Sequence, residues 1–528
     1  MRRSLLVAVL VAACVSNPVA GLRRPSISVD EMPTVAEASG YTRTSLHAGV
    51  VAFMDELAQR SDLVRRFSLG TSGEGRDLAA LVIADPPVSS ADEARASGKL
   101  RVFLVGNIHA GEVCGKEALL ALSRELAGGS ALLRDLVVVV LPDYNPDGND
   151  RLAPGNRPGQ NGPDEMGTRA NAGGFDLNRD WVKADAPETR AYLRFLDEWD
   201  PQVVVDTHTT NGSHHRYTIT YQGPKHPAGD EAVIAYVRDE MLPACGARLK
   251  ELTGFDSFFY GNFESDHTRW TTYPAEPRYG AAYRGLRNRL SLLSEAYAYA
   301  SFDDRVVGTR EFCRAILENA SAHAAEIREL CEAADARTLQ RARNGGNVAL
   351  RVQTLALPGK VAVLGFDERA SGDGRTELGA PKDWECSVEN LFVPSLEVAL
   401  PRAYVFPAEY EDVAAHLELH GIRVARVAET TETLVEHDVI DSFRRASRPF
   451  EGHARVEDVE THTVGAREFV SKGAYLVDTA QPLGALAAYL LEPRATDGLV
   501  AWNFFDAVLA EGARFPVGRV RGGVPDAR

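Results

Sequence analysis

Cysteine is scarce in this chain, with six in 528 residues. Disulfide-stapled scaffolds are short and cysteine-dense, so that class is excluded. With Cys14 set aside, Cys114, Cys245, Cys313, Cys331 and Cys386 read as small buried hydrophobes. Export would leave room for one or two bridges among them. Cationic charge is also in deficit: 58 Lys and Arg stand against 74 Asp and Glu, a net charge of −16. That balance argues against nucleic acid and anionic membrane surfaces as main partners. Beyond the N-terminal segment no run of uninterrupted apolar residues is long enough to span a bilayer. Internal repeats are missing too.

The N-terminus reads as a targeting segment, residues 1–21, rather than as part of the fold. Met1-Arg2-Arg3-Ser4 is basic, and Leu5 to Ala13 is an apolar run too short to cross a membrane. It ends in Val11-Ala12-Ala13-Cys14, which resembles a bacterial lipobox, where Cys14 would become the lipidated N-terminus. The other reading is an ordinary secretory signal cleaved a few residues later. Either way the expectation is a periplasmic or extracellular protein, with a membrane anchor at Cys14 if the lipobox is used.

A chain of this length exceeds one hydrophobic core, so two or more domains are expected. Arg66–Gly70, Leu78–Ala84 and Arg101–Val105 are short apolar runs with strand character. Leu136–Leu141, Gln202–Asp206 and Arg289–Ser294 are nearly continuous apolar runs, the mark of strands buried on both faces. Leu46–Arg60, Glu112–Leu126 and Val306–Ala334 have helical spacing. Strands alternating with helices predict an α/β fold with a mostly parallel sheet flanked by helices. The Gly, Pro, Asn and Asp-rich stretch from Leu141 to Phe175 reads as a functional loop walling a site. Arg343-Asn344-Gly345-Gly346-Asn347 is a breaker cluster. The boundaries expected are 22–338 for a catalytic domain and 347–528 for a C-terminal domain, mixed α/β or β-rich, with no chemical constellation of its own.

Three potential metal ligands stand out. His109 and Glu112 lie in Asn-Ile-His-Ala-Gly-Glu, directly after a predicted strand. His208, in Asp-Thr-His-Thr, follows a second strand, and Glu295, in Leu-Leu-Ser-Glu-Ala, follows a third. In open α/β sheets ligands bind beyond the carboxyl ends of strands. Two imidazoles and one carboxylate form the ligand set of a catalytic zinc with an open position. Glu295, outside that set, suits a general base acting on water.

These blocks resemble, in order, those of the zinc carboxypeptidase family, the carboxypeptidase A-like fold, over residues of about 40 to 335. His109-Ala-Gly-Glu112 is similar to the first ligand pair. Asn145-Pro146-Asp147-Gly148 matches a family turn, and Gly174-Phe-Asp176-Leu-Asn178-Arg179-Asp-Trp181 matches the Asp-Leu-Asn-Arg block. His208 matches the third ligand and Glu295 the general base. The resemblance implies one zinc ion per chain, held by His109, Glu112 and His208. It implies that Asn178 and Arg179 grip the terminal carboxylate of a peptide or protein substrate. It gives Arg169 the oxyanion role, with Arg157 in the same loop as the alternative. Asp176 would accept a hydrogen bond from the free nitrogen of a ligand histidine. A mobile tyrosine is expected at Tyr273, Tyr279 or Tyr283, without a choice among them. His214 and His215 read as loop polarity rather than a second metal site. The implied activity is metallocarboxypeptidase. An amide deacylase on the same fold and a noncatalytic binding module are the alternatives.

Overall fold

The computed structural model describes residues 31–370 and 376–527. Residues 1–21, expected to direct export, and Cys14 among them lie outside the described residues. Among those described, no helix is long and apolar enough to cross a membrane. Cys114, Cys245, Cys313, Cys331 and Cys386 are all buried and free.

An eight-stranded mixed sheet organises the first half. Its strands are β1 (Val64–Thr71), β2 (Asp77–Ile83), β3 (Leu100–Gly106), β4 (Leu136–Leu141), β5 (Val203–Thr210), β6 (Ile219–Gln222), β7 (Ser257–Phe259) and β8 (Leu290–Tyr297). The spatial order is β1-β2-β4-β3-β5-β8-β6-β7. The four central strands, β4, β3, β5 and β8, run parallel. Alternate residues divide between two cores, as a period of two requires. Leu100, Val102 and Leu104 of β3 enter one core, and Phe103 and Val105 enter the other. Helices α1 (His47–Arg60), α2 (Cys114–Ala127), α3 (Pro187–Trp199), α4 (Leu242–Thr253), α5 (Phe302–Ala322) and α6 (Ala324–Arg343) accompany the sheet. The predicted Val306–Ala334 helix is therefore two helices, separated at His323, whose backbone leaves helical geometry at φ −113° and ψ 22°.

The predicted strands ending at Asp206 and Ser294 are both longer. β5 and β8 continue through His208 and Glu295, because backbone pairing persists after the apolar run stops. Glu295 sits directly opposite His208 in the parallel register. The sequence places both residues just past a strand; instead each lies within the last few residues of one.

The second half is β-rich. Its longer strands are β9 (Asn347–Ala356), β10 (Val361–Ala370), β11 (Thr376–Ala399), β12 (Ala403–Phe406), β13 (Thr431–Arg445), β14 (Val456–Val470), β15 (Tyr475–Asp478) and β16 (Arg514–Val520). β11 pairs with β9 and β10, and also in parallel with Arg269–Thr271 of the first half. β15, β12, β16, β13 and β14 are consecutive strands of a third sheet. One hydrophobic core reaches from Phe103, Trp181 and Tyr192 to Leu486, Tyr489 and Trp502 of the second half. The two halves thus share both strand pairing and buried apolar surface.

Candidate active site

β3 ends at Gly106, and Asn107 then turns the chain. Its φ of 62° is left-handed, a region that asparagine tolerates better than most residues. The Asn107 side-chain amide donates to Asp143 Oδ1 at 2.7 Å and Asn149 Oδ1 at 3.0 Å, which holds the turn. His109 and Glu112 follow before α2, tied by the Glu112 N–H donating to the His109 carbonyl at 2.8 Å. Gly111, between the two, sits under a close approach of the loop. A Cβ there would stand 2.6 Å from Arg157 Cγ, so glycine lets that arginine pass over the loop. Gly115 lets α2 approach β5: a Cβ would meet Thr207 Oγ1 at 2.2 Å.

Three donor side chains converge at the carboxyl ends of β3 and β5. His109 Nδ1 is 2.9 Å from Glu112 Oε1, His208 Nδ1 is 3.1 Å from Glu112 Oε2, and the two Nδ1 atoms are 3.2 Å apart. Tetrahedral zinc with ligands at about 2.0–2.1 Å sets neighbouring ligand atoms about 3.3 Å apart. The His109, Glu112 and His208 group thus fits a metal ion in chemistry and in spacing. Each histidine presents its outer nitrogen to a carboxylate. His109 Nε2 lies 3.0 Å from Asp176 Oδ1, and His208 Nε2 lies 3.3 Å from Asp206 Oδ1. Such carboxylate partners fix ring orientation and raise ligand basicity.

The charges are strongly coupled. Burial works against ionisation of Glu112, yet His109 and Arg157 hold its carboxyl well below the ordinary range. Burial likewise opposes the His208 imidazolium, but Asp206, Glu112 and Glu295 hold it well above its usual value. Glu295 goes the other way. Desolvation pushes its carboxyl up to about 8, and the nearby Glu112 charge adds to the rise against the pull of His208 and Arg169.

A cavity of about 200 Å³ opens over these groups, lined by Glu295, Arg169, Asn178, Arg179, Tyr273 and Tyr279 among others. A larger hollow of about 360 Å³ beside Lys225 and Phe392 is lined by no histidine. Arg169 donates from Nε to Asp176 Oδ2 at 2.9 Å, and its Nη1 lies 3.2 Å from His109 Nδ1. Arg157, the alternative from the same loop, also reaches inward, its Nη2 donating to Glu112 Oε1 at 2.9 Å. Asn178 Oδ1 accepts from Gly280 N–H at 2.9 Å and from Trp181 Nε1 at 3.2 Å. The Arg179 guanidinium stacks 4.3 Å from the Tyr279 ring centre, with Nη1 donating to the Asn178 carbonyl at 2.8 Å. Tyr283 does not reach the cavity. It is buried in the core, its hydroxyl 2.6 Å from His420 Nδ1.

The long loop after β4 is well anchored. Asn145 Oδ1 accepts from Gly148 N–H at 3.0 Å, and Asp147 accepts from Ser72 Oγ at 2.7 Å. His215 is buried among Tyr217, Trp270 and Tyr297, and burial pushes its imidazole down to about 3. Sequence reasoning missed Asp206 and Tyr260, both at or beside the site. Asp206 was accessible in principle, because residues two apart on a strand share a face.

A family profile described as "Zinc carboxypeptidase" matches residues 50–269. The chain is 24% identical to Carboxypeptidase 2 of Trichophyton rubrum over 517 residues, 92% of this chain and 87% of that protein. It is 38% identical to Carboxypeptidase D of Mus musculus over 161 residues, 25% of this chain and 12% of that one. Among solved structures, a metallo-carboxypeptidase from Pseudomonas aeruginosa aligns over 54% of this chain and 70% of its own, at 17% identity and a TM-score of 0.41. The Trichophyton match extends well into the β-rich second half. A zinc carboxypeptidase domain therefore occupies residues 50–269, and the chain is a metallocarboxypeptidase.

Proposed function

We propose that this metallocarboxypeptidase is an exported exopeptidase that hydrolyses C-terminal peptide bonds, with zinc held by His109, Glu112 and His208. The carrying observation is the convergence of those three donors beneath Glu295, the strand partner of His208. Zinc, when bound, supplies Lewis acidity and makes a water molecule more acidic. Glu295 takes the proton of the attacking water and returns it to the departing amine. Arg169, anchored by Asp176 and lining the cavity, steadies the charge that develops on the carbonyl oxygen.

Arg179 reads the substrate terminus. Its guanidinium packs over the Tyr279 ring, and among the described residues Nη1 alone of its nitrogens donates a hydrogen bond within the protein. A planar fork so held matches a carboxylate in two-pronged geometry. Asn178 has its oxygen committed to Gly280 and Trp181, which leaves its amino group for the substrate. Tyr273 and Tyr279 are the two expected tyrosines that line the cavity.

Peptides with free and with amidated C-termini test this reading. Amidation leaves Arg179 charged and poorly paired, a loss of roughly 3 kcal/mol, so cleavage should slow at least about a hundredfold. Free-acid peptides should yield a ladder shortened from the C-terminus, read by mass spectrometry. Equal cleavage of both forms would point instead to an amidase or deacylase with the same metal chemistry. Export rests on Met1 to Ala13, and Edman sequencing of the mature protein tests it. A mature chain that retains Met1 would refute export by this segment.

A further inference from the structure

A turn from the second half reaches the candidate active site. Residues 446–455 connect β13 to β14. At the tip, Phe450 N–H donates to the His453 carbonyl at 2.9 Å, and His453 N–H donates back to Phe450 at 3.0 Å. The two residues between, Glu451 and Gly452, both have left-handed backbones, with φ of 51° and 82°. Glycine accepts that region freely, but a glutamate there is an outlier that invites a functional explanation.

That explanation lies in what the side chain touches. Glu451 Oε2 accepts the backbone N–H of Asp176 at 2.9 Å. The Asp176 carboxylate faces the metal group: Oδ1 is 3.0 Å from His109 Nε2, and Oδ2 accepts from Arg169 Nε at 2.9 Å. The turn is itself fastened nearby, with His453 Nε2 2.8 Å from Asp185 Oδ2 and Nδ1 3.0 Å from Asn503 Oδ1. Phe450 lies against Trp502 and beneath Arg278. One acceptor from the second half therefore holds the backbone of the residue that orients both a metal-facing histidine and the cavity arginine.

We infer that Glu451 is a positioning residue for the metal site, acting through Asp176 on His109 and Arg169. The inference rests on the metal site of the functional reading above for its effect on affinity, and on the peptidase activity for its effect on turnover. It gives the β-rich half a part in catalysis without placing any of its groups on substrate.

Two substitutions in the full-length protein test it. Glu451→Gly removes the acceptor while leaving a residue that favours the left-handed turn, so the fold should melt at or above the wild-type temperature. Outer-shell partners of metal ligands typically carry a 10–100-fold effect on affinity or activity. Zinc dissociation measured by chelator competition should weaken about tenfold in Glu451→Gly, with kcat down about tenfold and KM changed far less. Glu451→Gln keeps an oxygen that accepts from the amide and should recover most of both losses. Wild-type zinc affinity in folded Glu451→Gly would overturn the inference, as would Glu451→Gln proving as impaired as the glycine variant. If the wild-type enzyme cleaves no peptide, the functional reading fails while the zinc titration still decides the role of Glu451.

Discussion

Metal binding at this site should expel protons, and the number follows from two side chains. In the metal-free protein His208 is held well above its usual value and Glu295 is pushed up to about 8, so both carry a proton at pH 6.5. A ligand imidazole must be neutral, so binding removes the His208 proton. A dication near Glu295 favours its carboxylate, which releases a second. The sign is the same for both groups: protons compete with metal, so affinity rises with pH until each group has lost its proton in the free protein. Each proton displaced steepens apparent affinity by about tenfold per pH unit, or about 1.4 kcal/mol. Between pH 6 and 7 the expected gain is therefore tenfold to a hundredfold. Titration calorimetry in buffers of different ionisation enthalpy reads the proton count directly. Glu295→Gln should bind zinc with about one proton fewer released. A wild-type count near zero at pH 6.5 would refute the charge assignment at His208. An unchanged count in Glu295→Gln would refute the protonated state of Glu295.

Glu295→Gln should also keep the fold and lose turnover by about 10²–10⁴-fold, the usual cost of removing a general base; near-normal kcat in the zinc-loaded variant would exclude that role. Arg179→Lys should lose most cleavage of free-acid peptides, because a point charge cannot reproduce the fork; retained kcat/KM would place the carboxylate grip elsewhere. Arg169→Ala should lower kcat with little change in KM, the pattern of a group acting mainly on the transition state. Gly115→Ala should destabilise the fold by about 1–3 kcal/mol, since the new methyl meets Thr207 Oγ1 where helix and strand are closest; an unchanged melting temperature would show that α2 can move away at no cost.

Local signals carried the metal group. Apolar runs end in polar residues at His208 and Glu295, and a strand feeds directly into His109. The strand limits were less legible, because the β5–β8 ladder continues by backbone pairing after side-chain pattern has ceased to mark it. Asn107 makes the turn before the ligands, and the crowding of Gly111 by Arg157 and the Gly167 carbonyl is a tertiary fact. Tyr283 has the same residue type and region as Tyr273 and Tyr279, but its place on a buried helical turn beside His420 is a tertiary fact. Glu451 lies too far along the chain from Asp176 for any periodicity to link them.

The strand pairing between Arg269–Thr271 and β11 makes the order of synthesis matter. Every group proposed to bind metal or move a proton has been translated once Glu295 is complete. At that stage Arg269–Thr271 still lacks its partner in β11, and Asp176 N–H still lacks Glu451. Translation at about 5–20 residues per second leaves on the order of ten seconds before Glu451 is made. During that interval the hydrolytic groups exist on the nascent chain without the brace that aligns them. An enzyme whose last-made half completes its first-made site is held back, while it is being built, by its own unfinished length.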